Sequence, residues 1–178
     1  NRSLLLENDN IRVAMSTLLG RGDIDRFLDI AFDLTWFWAQ SSLQVEGRDL
    51  MVGALRSHGD EASPAMAARA WLAASLLATF LTDPAAVGYA DLGLECALRA
   101  EDDALVGWLT LTRGMAYSNL VGHQDAAGWM EEGRQAVAES RDPPMWDPEW
   151  DQPIIEFMLA FGQAGPPEQR REHVEDAI

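Results

Sequence analysis

Apolar side chains recur along this chain at intervals of three and four residues, interrupted at regular points by glycine, proline and short polar clusters. Ile11, Met15, Leu18 and Leu19 share one helical face behind the capping cluster Asn8-Asp9-Asn10, so the spacing predicts a helix over residues 8–19. A second helix is predicted over 24–40. It carries Phe27, Leu28, Ala31, Phe32, Leu34, Trp36, Phe37 and Trp38, apolar around so much of its circumference that burial on more than one side follows. A third, over 44–57, stops at His58-Gly59-Asp60. Ser63 and Pro64 then open a helix to residue 81, and Thr82-Asp83-Pro84 opens the next, to residue 99. Another pair follows over 103–121 and 124–140, separated by Gly122-His123. Pro143, Pro144 and Pro148 exclude a continuing helix, after which 154–161 is apolar at helical spacing and 168–178 reads as a polar terminal helix. No stretch alternates as a strand would, so the predicted fold class is all-α.

A longer period overlies the helical one. Thr35, Ala74 and Gly114 form a column of small residues about 40 positions apart; Gly47, Ala86 and Ala126 form a second, and Ala54, Gly93 and Gly133 a third. A larger side chain, Trp38, Leu77 or Tyr117, stands three places after the first small one in each unit. Such a period suits paired helices joined by short turns: a right-handed α-solenoid of antiparallel hairpins, with three to four units. The units span roughly 22–60, 63–101 and 103–141, with C-terminal helices over 147–178, all in a single domain. Small residues are required where two helices cross and their backbones approach. Enlarging Gly93 or Gly133 to Leu is therefore expected to cost on the order of 1–3 kcal/mol.

These columns resemble the small-residue signature of tetratricopeptide repeats. The best-fitting unit spans residues 109–140 and carries Gly114, Tyr117, Ala126 and Gly133 where the family places Gly, Tyr, Ala and Ala. The family's proline after the second helix is displaced to Pro143, and its usual tryptophan is not in its standard place. Asn8-Asp9-Asn10-Ile11-Arg12, Trp36-Phe37-Trp38 and Glu46-Gly47-Arg48 followed by Ala54-Leu55 resemble, more narrowly, a region of large bacterial regulators. In regulators of the LuxR and AfsR/SARP type, and in related signalling NTPases, helical repeats follow the ATPase module. The resemblance implies a non-catalytic sensor region that binds a small effector or a protein partner, including adjacent domains of the same chain. It also implies a concave groove lined by Phe32, Trp36, Trp71, Ser75, Trp108, Met115, Ser118 and Asn119. Three tryptophans in successive units could then form an aromatic platform for a sugar, a peptide or a cation.

Composition narrows the function classes. With 29 acidic against 13 basic residues and a net charge of -16, the chain lacks the phosphate-neutralising surface of a nucleic-acid binder. It contains no lysine, which excludes a GxxxxGK[ST] phosphate loop in this segment. The longest apolar run, residues 70–81, is shorter than the roughly 20 residues that span a bilayer. The lone Cys96 sits between apolar neighbours and reads as a buried small hydrophobe, consistent with a reducing cytoplasm. The start at Asn1 suggests a piece of a longer protein, and homodimerisation through an apolar end face is a further expectation.

Candidate chemistry is sparse. Glu101-Asp102-Asp103 stands at a helix boundary, where capping explains acids better than a metal cluster does. Asp147, Glu149 and Asp151 flank Trp146 and Trp150 in an acidic, aromatic turn that could meet a basic partner or a divalent ion. His58, His123 and His173 lack zinc spacing, and no GxSxG elbow is present, so no metal, cofactor or catalytic residue is expected. Two other readings stand beside the regulatory one: a free-standing scaffold for a basic peptide, and an all-α enzyme using its acids with a metal.

Overall fold

α1 (Asn8–Gly20) leads into α2 (Ile24–Asp33) through a turn whose Gly22 has φ 72°, a backbone conformation that glycine adopts without steric strain. The computed structural model describes residues 7–140 and 148–163 of the 178-residue chain, and no strand occurs among them. The chain continues as α3 (Thr35–Ala39), α4 (Gln44–His58), α5 (Pro64–Phe80), α6 (Ala85–Ala100), α7 (Asp103–Leu120), α8 (His123–Glu139) and α9 (Pro148–Gln163). The predicted turn over 142–147 and the predicted terminal helix over 168–178 lie outside the described residues.

The helix expected over 24–40 is interrupted at Leu34. Helical hydrogen bonds continue on both sides of it, from the Leu34 N–H to the Ile30 carbonyl and from the Trp38 N–H to the Leu34 carbonyl. Phe37 and Trp38 are buried, with the Trp38 ring lying where a side chain on Gly47 of α4 would project, whereas Trp36 turns toward Phe80 of α5. Elsewhere the ends follow local chemistry. The Asp102 carboxylate accepts a hydrogen bond from the Leu105 N–H at 2.8 Å, capping α7 as its position in the acidic triplet suggested. Asp83 accepts from the Ala85 N–H at 2.9 Å at the start of α6. Pro64 occupies the first turn of α5, and the Ser63 N–H donates to Asp25 Oδ1 at 2.8 Å, which ties that end to α2.

The most extensive helix packings pair α7 with α8 and α5 with α6. Close approaches in the first pair join Gly107 to Val137, Leu111 to Gly133 and Gly114 to Met130, so numbers rise on one helix as they fall on the other. In the second pair Trp71 meets Gly93, and Ser75 Oγ donates to the Ala86 carbonyl at 2.9 Å. Both pairs are therefore antiparallel. Every member of the three small-residue columns is buried. α5 also packs on α2, α4 and α7, and burial extends around its whole circumference between Ala67 and Thr79, Arg69 excepted. Its alanines allow helices to approach on all sides, while Leu72, Leu76 and Leu77 each contribute about 1.5–3 kcal/mol through burial.

Arginines tie successive units together. Arg48 of α4 reaches Asp83 at 2.7 Å, Arg69 of α5 reaches Asp29 of α2 at 3.2 Å, and Arg113 of α7 reaches Asp91 of α6 at 2.9 Å. Arg69 also stands over the Phe32 ring, 4.4 Å from its centroid, and Arg113 over Trp129 at 4.5 Å. No described helix is long and apolar enough to cross a membrane.

Candidate functional site

The residues expected to line one open groove divide into two groups. Phe32 lies beneath the Arg69 guanidinium and is fully buried. Trp71 stacks on Tyr89 of α6 with centroids 5.6 Å apart, and Ser75 is spent on the Ala86 carbonyl. Asn119 Nδ2 donates to the Thr79 carbonyl at 2.9 Å, linking α7 to α5, and Trp108 is buried. These five residues serve helix-to-helix packing. The tryptophans are also out of register: Trp71 sits against Gly93 as Leu111 sits against Gly133, so Leu111 and not Trp108 is its counterpart. Trp36, Trp71 and Trp108 consequently form no shared open platform, because the antiparallel crossing draws the latter two inward.

Trp36, Met115 and Ser118 instead meet around α9. Phe157 and Phe161 stand one helical turn apart on that helix and close on Trp36 of α3 and Phe80 at the end of α5. Trp36 lies 6.4 Å from both Phe80 and Phe157, and Phe80 lies 6.0 Å from Phe157 and 5.5 Å from Phe161, centroid to centroid. Most of these rings meet edge to face, the orientation that aligns a positive ring edge with a negative ring face. Further along α9, the Gly162 carbonyl accepts a hydrogen bond from buried Ser118 Oγ at 2.5 Å. A side chain at Gly162 would collide with the Met130 thioether, 2.7 Å from its sulfur, so glycine permits this approach. Ile154, Ile155 and Met158 are buried beneath the same helix.

The surface so formed draws on α3, α5 and α7, with Met130 of α8 at its edge, and it receives a helix through apolar contacts and one carbonyl acceptor. The residues that sequence patterns missed are Phe80, Phe157, Phe161 and Gly162. The available signal was the four-residue spacing of Phe157 and Phe161 on an amphipathic stretch behind three prolines. Among the described residues, no group of three or more His, Cys, Asp or Glu is placed to hold a metal ion. His58 ends α4 and His123 begins α8, well apart. Of the acidic, aromatic turn, Trp146 and Asp147 lie outside the described residues, as do the side chains of Glu149, Trp150 and Asp151. Asp33, at the C-terminal end of α2, has its carboxyl raised above the ordinary 3.8, chiefly by burial, with the Asp29 charge adding to the shift and Arg69 opposing it. No family model, curated protein or solved structure matches the chain.

Proposed function

We propose that this chain is a non-catalytic helical-repeat binding domain, a right-handed tetratricopeptide-like solenoid that serves as the regulatory region of a cytoplasmic bacterial transcription or signalling regulator. Its docking surface is the face made by the first helices of the hairpins, α3, α5 and α7. The observation that carries this reading is the reception of α9 on that face by the Trp36–Phe80 pair and Ser118, since a surface that holds one amphipathic helix has the shape and chemistry to hold another. The antiparallel hairpins and the buried small-residue columns support the repeat architecture. Burial of Trp71 and Trp108 favours a protein or peptide partner over a small effector stacked on open indole rings.

A photo-cross-linking residue at position 36, with exposed Leu92 of α6 as the control position, tests the assignment in cells. The expected result is a product formed from position 36 alone and lost in Phe80→Asp, with helical content retained by circular dichroism. Equal products from both positions, or a product indifferent to Phe80→Asp, would refute the face.

A further inference from the structure

We infer that the stretch of this face that α9 leaves uncovered, along α2 and the start of α5, takes a basic segment of a partner protein. A lysine or arginine of that segment sits at Asp33, and an apolar side chain lies on the exposed ring of Phe157. The inference rests on the reading of the first-helix face as a docking surface and adds the partner's chemistry. α9 stays in place and forms one wall of the site.

Placement comes first. Asp25, Asp29, Asp33 and Trp36 recur at helical spacing, and hydrogen bonding of helical type runs on through Leu34, so the four share one face. Trp36, at the end of this row, is the residue that meets Phe157, which puts the row on the same side of the array as α9. The Asp25 carboxylate accepts from the Ser63 N–H and Asp29 pairs with Arg69, so the row also runs beside α5. α9 packs mainly on α7 and α8, has no extensive packing against α2, and meets this side through Phe157 and Phe161.

Exposure comes second. Phe157 remains 46% exposed although its ring touches Trp36 and Phe80, so apolar surface stands open where the acidic row ends. Charge comes third and selects the occupant. Asp25 and Asp29 have partners, whereas Asp33 is exposed and makes no ion pair or hydrogen bond among the described residues. Burial and the Asp29 charge disfavour its ionised form, and Arg69, which opposes them, is held by Asp29 and the Phe32 ring. Exposed Arg26 stands two turns earlier on α2. An arriving cation relieves the repulsion at Asp33, and an acidic segment would add to it.

The test uses the intact chain and three labelled peptides in fluorescence anisotropy. The first alternates arginine with tryptophan; the second has glutamate in place of arginine, and the third serine in place of tryptophan. The first should bind at least about 10-fold more tightly than either of the others. Asp33→Arg should weaken that binding at least about 10-fold and Asp33→Asn about 3-fold. Glu95→Arg makes the same charge reversal on α6, which has no extensive packing against α2 or α9, and should change it less than about 2-fold. Asp33 is exposed, so both variants should keep their helical content in circular dichroism; if Asp33→Arg loses it, Asp33→Asn carries the test. Equal weakening by Glu95→Arg and Asp33→Arg would overturn the inference, because the charge of the whole chain and not the site would then be acting. Failure of the first peptide to bind would overturn it as well. If the glutamate peptide binds as tightly as the arginine one and both are lost in Phe80→Asp, the face stands and the basic partner is refuted. If the arginine peptide is indifferent to both Asp33→Arg and Phe80→Asp, the docking face falls with the inference.

Discussion

Replacing Gly133 by alanine isolates a close backbone crossing between α7 and α8. A helix interior ordinarily gains about 1 kcal/mol from this change, because alanine loses less backbone freedom on folding than glycine. At Gly133 the new methyl would lie 2.7 Å from Leu111 Cα and 2.8 Å from the Gly107 carbonyl oxygen, and nearer still to the Leu111 nitrogen. All three are main-chain atoms of α7, so no rotamer change can make room. Ordinary contact begins at 3.4 Å, so relieving the clash with the Leu111 nitrogen would require α7 and α8 to separate by about 1 Å. A gap of that size forfeits roughly half of the dispersion energy across the affected contacts, here in one of the two most extensive interfaces of the fold. Overpacking of this kind costs about 1–3 kcal/mol and more where backbone must move; net of the propensity gain, Gly133→Ala should destabilise by about 2–3 kcal/mol. Gly128 supplies the control in the same helix, since nothing lies within 4 Å of its would-be Cβ. Gly128→Ala should stabilise by about 0.5–1 kcal/mol. For a chain of this size, each kcal/mol moves Tm by roughly 2–4 °C. Thermal melts at 222 nm should therefore show opposite shifts, a fall of about 4–12 °C for Gly133→Ala and a rise of about 1–4 °C for Gly128→Ala. A Gly133→Ala protein as stable as the parent would refute the close approach of α7 and α8.

The remaining expectations address separate features. Asp33 has a raised folded-state pKa, so the stability linked to its protonated form is full below 3.8 and is lost as pH rises through the folded value. Asp33→Asn should accordingly raise Tm at pH 7 and change nothing near pH 3, and a larger gain at the acid end would reverse the argument. Thr82 holds φ 56° between α5 and α6, where a β-branched residue is strained; Thr82→Gly should stabilise by about 1 kcal/mol in urea titration, and a loss would show that its side chain matters more than its backbone. Removing the buried Asn119 amide, the donor to the Thr79 carbonyl, should cost about 1–3 kcal/mol in Asn119→Ala; an unchanged midpoint would mean that this carbonyl is satisfied without it. Millimolar Mg²⁺ or Mn²⁺ should leave the melting temperature unchanged, whereas a clear rise would favour the metal-dependent enzyme reading.

Helix positions and the small-residue columns were legible because both are local or periodic properties of the chain. A capping acid such as Asp102 acts within one turn, and a residue such as Gly133 declares by its size that another backbone comes near. The break at Leu34 was not legible, because apolar periodicity runs through it. The groove assignment failed in the same way for Trp71 and Trp108. Spacing identifies a face of a helix, but the crossing of α5 with α6 decides which face is turned inward.

By itself, the sequence determined an acidic, lysine-free, all-helical chain whose small residues recur where paired helices must approach. Only the tertiary structure decided that Trp36 and Phe80 meet Phe157 and Phe161, and that Ser118 receives the far end of α9. Residue size and helical period act over one or two turns and can be read along the chain. Contact between α3 and α9 depends on how every intervening hairpin packs, and no local pattern carries that information.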